Sequence, residues 1–448
     1  MAHSEAIEKK NTLQQESYQN YTLSLDLNYP RPNFCLATVI IPSQMIKALY
    51  HEVSTSQQRY AQTNGFYRGN VPLEYIQQNF TTSIIQHLKE FLFKFCVVNF
   101  LYEQIRKQKI VVAGEPRLVD ISLEPGNDAH FKFEITHFPD VIINEWKYFP
   151  FKAPKRKNYK DLDRQVELFI KEEHENIEKI QDTSLTFGDW VNFDLSIDTN
   201  DNQPLLGGFK QNFWFKLDDE EIEIPLRELF KGKKLGTTFN TVNKDLQEYF
   251  SDQLETDYNF RIDIVDVLPH AYFCLEQLKR HFRIKTNKDA HKKLIEVFSY
   301  RNDLSQRRST VEEALKLLLN KHPFTIPPHL TSRQQKNILE SVQQNPDYNV
   351  YRMQRDFQTS IRKLAEKQIK ETIFIDKLAY HENIEIAPTD TKGYLNLANR
   401  PRTKEFIYFR APSSKIHGQE IPIPSEELNR ICLREKTINY AIYHWTKK

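Results

Sequence analysis

The sequence predicts a multidomain α+β protein: an α+β head, an antiparallel β-rich unit with a short helix, and an extended all-helical C-terminal body with arms. Three observations lead there. The chain has 448 residues, too many for one ordinary domain. Its apolar periodicity changes along the chain, from mixed alternation and helical spacing, through mainly alternation, to helical spacing. Glycine is scarce, with 11 residues where ordinary usage would give about 31. Five of them (Gly188, Gly207, Gly208, Gly232, Gly236) fall in one short window, so turn-rich structure concentrates there and much of the rest reads as helical.

In chain order, residues 1–19 are polar and read as a disordered tail. Tyr21–Asn28 and Phe34–Ile41 alternate as strands do. From Ser43 to about Ala61 the apolar spacing becomes helical, through Met45, Ala48, Leu49 and Val53. A loop at 64–72 leads into a second helical region ending near Lys109, where Ile84, Leu88, Leu92 and Phe95 mark a broad buried face. Strands at Arg117–Leu123 and His130–His137 complete the head, residues 20–141. Residues 142–183 read as a linker arm: a basic run, Lys152–Lys160, then a charged amphipathic helix from Asp161 to Ile180. The basic run fits either a solvated linker or a contact to nucleic acid. Residues 184–268 form the β-rich unit, with strands at Trp190–Ile197 and Asn259–Val267. The acidic run Asp218–Glu221 reads as a solvated hairpin. In the helical body, 269–448, Thr310 to Glu313 has capping-box spacing. A stripe from Val350 through Met353, Phe357, Ile361, Leu364, Ile369 and Ile373 predicts one long helix reaching Tyr380, and Glu426–Trp445 a final one.

The 62 basic and 60 acidic residues nearly cancel, which argues against a protein that coats DNA. Four scattered cysteines exclude a disulfide scaffold and a cysteine-built zinc site and fit a reducing compartment. His51-Glu52, His174-Glu175 and His381-Glu382 never continue to HExxH, so no metal site is expected. Gly-rich nucleotide loops are absent, and no cofactor is expected. The first residues have no apolar secretory segment, and the most apolar stretch, Phe91–Leu101, is about half the ~20 residues of a membrane span. A cytoplasmic protein without membrane contact is the expectation.

The most informative string is Gly65-Phe66-Tyr67-Arg68-Gly69-Asn70-Val71-Pro72. Its glycines permit a tight exposed turn, its tip offers aromatic area and a cation, and Pro72 suits the start of the next helix. The string resembles the G-F-R-x-G-x-x-P ribosome-docking signature of the bacterial trigger factor family of ribosome-associated chaperones. Tyr67 stands where the family normally has arginine. His137 to Val141, Phe324-Thr-Ile-Pro327 with Leu330, and Lys377 to Ile386 resemble further family segments, so the likeness spans roughly residues 21–395. The resemblance implies an ATP-independent chaperone docking through Gly65, Phe66, Tyr67, Arg68, Gly69 and Pro72 on a ribosomal protein and adjoining rRNA at the exit-tunnel rim of the large subunit. Phe66 would supply the apolar contact and Arg68 the charge. Nascent or unfolded polypeptides are the implied clients, and a homodimer stays open as the form off the ribosome.

The β-rich unit resembles the family's FKBP-like peptidyl-prolyl isomerase domain. That likeness puts Phe213, Ile224, Tyr249 and Phe260 at the prolyl-pocket positions. Three positions usually aromatic are Leu195, Leu205 and Leu226 instead. The unit is therefore either a scaffold arm with a degenerate pocket or an active prolyl isomerase with chaperoning secondary, and a ribosome-independent holdase of the same architecture also remains open.

Overall fold

The computed structural model describes residues 21–447, apart from 139–140, 154–159, 179–183, 218–224, 270–272, 302–303, 344–345, 399–402, 412–414 and 417–418. The tail at 1–19, most of the basic run and the acidic run 218–221 therefore lie outside the described residues.

The head is a four-stranded antiparallel sheet in the order β1-β2-β4-β3 backed by helices. Its strands are β1 (Ser24–Arg31), β2 (Phe34–Ile41), β3 (Arg117–Ser122) and β4 (Ala129–Thr136). β2 alternates strictly, with Cys35, Ala37, Val39 and Ile41 all buried against the helices. Between β2 and β3 run α1 (Ser43–Tyr60), α2 (Leu73–Asn79), α3 (Thr81–Leu92) and α4 (Val98–Lys107). The second helical region is thus three helices, and α3 joins α4 through one turn widened to π geometry, Phe93–Val97. Ile84, Leu88, Phe91, Leu92 and Phe95 are wholly buried.

α5 (Lys160–Glu178) follows, and then a second antiparallel sheet formed by β5 (Trp190–Asp198), β6 (Gln211–Lys216), β7 (Thr238–Thr241) and β8 (Asn259–Leu268). α6 (Pro225–Phe230) and α7 (Lys244–Phe250) accompany it, and the Asn243 side chain caps α7 by accepting from the Leu246 amide at 3.0 Å. The order of this sheet is (423–424)-β6-β5-β8-β7. Its outermost strand, Ile423–Pro424, comes from the far C-terminus and pairs with Trp214 and Phe213.

The body comprises α8 (Leu275–His281), α9 (Asn287–Phe298), α10 (Gln306–Lys321), α11 (Pro328–Gln343), α12 (Tyr348–Arg352), α13 (Phe357–His381), α14 (Pro388–Ala398) and α15 (Ser425–Thr446). Two local expectations change here. α10 starts at Gln306, capped by Ser305, whose hydroxyl accepts from the Arg308 amide at 3.1 Å; Thr310 sits inside the helix and bonds back to the Gln306 carbonyl. The long helix is broken at Met353–Asp356, leaving 25 residues, about 38 Å. Val350 and Met353 consequently fall outside its buried stripe, at 66% and 80% exposed, while Phe357, Ile361, Ile369 and Ile373 are buried.

The units are not separate beads. One continuous apolar core runs from the head sheet through α3 and the π turn into the β-rich unit. Within the stretch expected as a linker arm, Trp146 is buried against α15, meeting the rings of Tyr440, His444 and Trp445. Its indole donates to Glu382 at the end of α13 at 3.0 Å. Burial alone would raise the Glu382 carboxyl, but bonds from Lys147, Trp146 and His381 hold it down to about 2. Among the described residues, the hairpin of α11 and α13 has a small core of its own, built on Ile338, Phe357, Ile361 and Ala365.

Candidate functional site

Two regions hold the residues singled out from the sequence. The first is the loop between α1 and α2. It is two consecutive tight turns: the Phe66 amide donates to the Thr63 carbonyl at 3.3 Å, and the Asn70 amide to the Tyr67 carbonyl at 3.0 Å. Gly65 and Gly69 each occupy the third position of a turn, with φ of +94° and +86°. A turn with positive φ at that position selects glycine. An added Cβ would meet nothing within 4 Å at either, so conformation and not crowding makes the demand. Pro72 stands immediately before Leu73, the first residue of α2.

Between these hinges the chain displays its side chains unequally. Tyr67 is 85% exposed and Phe66 38%. Phe66 leans on Tyr75 of α2 with ring centroids 5.2 Å apart, and the Tyr75 hydroxyl meets the Thr63 hydroxyl at 3.1 Å. The exposed Arg68 guanidinium lies 5.9 Å from the Tyr60 ring centroid. The tip thus offers a fully presented phenol and a cation beside a half-supported phenylalanine. The prominence of Tyr67 over Phe66 follows from the partnership with Tyr75, which no local pattern in the loop announces.

The second region is the aromatic interior of the β-rich unit. Phe213 and Phe260 are 1% and 0% exposed, and Tyr249 is half-buried. Ile224 lies outside the described residues. The other three converge on Phe250, a ring the sequence reading did not single out: Tyr249 at 4.9 Å, Phe260 at 5.8 Å and Phe213 at 6.0 Å between centroids. Phe193 and Phe230 extend the cluster. Leu195 and Leu226 are buried in the same core and Leu205 packs against it.

That cluster does not face solvent. Phe91 and Phe95, one helical turn apart in the head, insert into it: Phe91 lies 4.6 Å from Tyr258 and 5.5 Å from Phe250, and Phe95 lies 5.3 Å from Phe250 and 6.0 Å from Phe209. His87 stacks on Tyr258 and its Nε2 meets the Tyr258 hydroxyl at 3.1 Å. Burial pushes the His87 imidazole down to about 4, so the ring is neutral at physiological pH. On the opposite side, the Tyr249 hydroxyl donates to the Pro422 carbonyl at 3.0 Å, and Arg106 of α4 grips Glu426 of α15 through two bonds at 2.7 and 3.0 Å.

The hairpin of α11–α13 adds exposed apolar surface. Val350, Tyr351 and Met353 cluster at its tip, and Leu364 is 40% exposed along α13. Two grooves flank α13: one of about 660 Å³ toward α10 over Leu319 and Phe324, and one of about 500 Å³ toward Tyr408 and Phe409. Lys367 and Glu371 line both. Among the described residues no group of three or more His, Cys, Asp or Glu could hold a metal ion, and no helix is long and apolar enough to cross a membrane.

Residues 30–170 match the family model of bacterial trigger factor protein, and residues 277–395 match the model of the trigger factor C-terminus. Curated relatives with the same name span most of the chain. The trigger factor of Geotalea daltonii is 22% identical over 371 residues, covering 78% of this chain and 82% of the relative. That of Rickettsia prowazekii is 21% identical over 411 residues, covering 84% and 83%. A solved structure of a trigger factor chaperone overlays with a TM-score of 0.34 at 14% identity, across 93% of this chain and 99% of that one; the sequence matches, not this overlay, carry the assignment. With both terminal regions and their order matched, the chain belongs to the bacterial trigger factor family.

Proposed function

We propose that this protein is an ATP-independent chaperone of the cytoplasm that docks at the exit-tunnel rim of the large ribosomal subunit through residues 65–72 and shields emerging polypeptides along the α11–α13 hairpin. The observation that carries the reading is the double turn, in which two glycines at positive φ hold Tyr67 and Arg68 out from the head. Such a tip suits a composite partner, because the phenol and Phe66 supply apolar area while Arg68 answers phosphate or carboxylate. Clients meet a different surface. Isolated apolar patches between Lys and Glu side chains along α13 suit brief multipoint contact, and tethering to the ribosome supplies the effective concentration that lets each contact stay weak.

Co-sedimentation with ribosomes of the source organism at physiological salt tests the docking step. Saturable binding is expected for the intact chain, with at least a tenfold loss in a Phe66→Ala, Tyr67→Ala, Arg68→Ala variant. No binding by the folded intact chain sinks ribosome docking and leaves a free holdase.

A further inference from the structure

We propose that the head carries the resident occupant of the aromatic cleft in the β-rich unit: Phe91 and Phe95 fill the space an apolar or prolyl segment of a client would enter, and the intact chain is closed to such ligands. Both rings are wholly buried, and together they touch Phe250, Tyr258 and Phe209 on the cleft side. Four residues apart on a helix, they lie on one face and enter together.

The contact is fastened around its rim. At one edge Gln57 donates to the Glu255 carbonyl at 2.6 Å, the Tyr60 hydroxyl donates to Asp257 at 2.6 Å, and Arg59 pairs with Asp257 at 3.3 Å. At a second edge Ser251 donates to Glu90 at 3.1 Å, and Lys94 reaches the Tyr249 carbonyl at 3.0 Å. At a third, Gln211 donates to the Cys96 carbonyl within the π turn at 3.3 Å, so the widened turn itself takes part in the seal. A client entering this cleft must expel two phenylalanines and break polar bonds on three sides. The chaperone activity consequently does not run through prolyl isomerisation at this site. The first fastening also adjoins the docking loop, since Arg68 covers the Tyr60 ring.

The test uses the full chain with the chromogenic tetrapeptide Ala-Phe-Pro-Phe p-nitroanilide as probe. The intact chain is expected to leave its cis–trans rate at the uncatalysed value and to show no saturable binding; acceleration or binding overturns the proposal. Phe95→Ala, provided it still unfolds cooperatively, is expected to gain saturable binding of the peptide that the intact chain lacks; no binding by this folded variant overturns the proposal. Because Phe95→Ala can lose the fold, Gln57→Ala with Asp257→Asn attacks only the rim. That pair is expected to speed amide hydrogen exchange across residues 249–260 at least tenfold, and an unchanged rate is equally fatal. None of these readouts involves a ribosome, so the docking reading stands or falls separately.

Discussion

The loop at 65–72 and the aromatic cluster of the β-rich unit are both built around aromatic side chains, yet one presents them and the other spends them on packing. In the loop, glycine conformation does the positioning and almost nothing packs on Tyr67, which leaves its area free for a partner. In the cluster, each ring touches several others and the polar edges bond to a neighbouring unit, which leaves no area to offer. Aromatic content alone therefore says little about binding; what decides is whether the chain supplies its own partner.

The largest expected effect lies in the cluster. Phe250→Ala removes the ring on which both units converge and should cost about 3–5 kcal/mol in urea unfolding, with head and β-rich unit losing structure together. A loss below about 1 kcal/mol, or two separate transitions, would break the contrast with the loop. Next comes pH. His87 is held neutral by burial, so its folded pKa of about 4 lies below the unfolded value near 6.5. The folded state binds fewer protons, and this contribution is fully present above pH 6.5 and declines as pH falls from 6.5 through 4. It amounts to about 3 kcal/mol at most. Glu52, raised by burial, works in the opposite sense. His87→Phe should flatten the acid limb of a stability–pH curve, and an unchanged limb would remove His87 from the account.

The smallest effects on stability should come from the loop. Gly69→Ala forces a Cβ into positive φ, a strain of about 1–3 kcal/mol if the turn is kept, but an open surface turn can relax. Its stability should shift by less than about 1 kcal/mol, and Tyr67→Ala by less than about 0.5 kcal/mol. Ribosome binding should fall at least tenfold in both. Substantial destabilisation by Tyr67→Ala, with binding intact, would mean the loop serves the fold instead.

Local patterns carried most of the elements. The strict alternation of β2 and the spacing of α1 put their ends within a residue or so of the structure, because one face of each meets a continuous core. The loop was legible for a related reason, since turn chemistry is local and two glycines at the right interval specify it. What was not legible is long-range. Nothing near Met353 signals the break before α13, and the Thr310 spacing mimicked a cap that Ser305 provides. Phe95 reads as head core, which it is; that it and Phe91 also pack against rings as much as 167 residues further along the chain, at Tyr258, depends on how two units meet. Phe250 was missed likewise, because its weight comes from its neighbours.

One consequence concerns the protein's own synthesis. The edge strand Ile423–Pro424 completes a sheet whose other strands begin at Trp190, and Glu426 ties the same segment to Arg106. Neither closure can form until residues 423–426 have left the ribosome that makes them. Until then β6 keeps an unpaired edge, the kind of template on which chains aggregate. Closure of this sheet thus waits for a segment more than 200 residues beyond its first strand, and for that stretch of its own translation the protein is the sort of unfinished chain that it is proposed to guard.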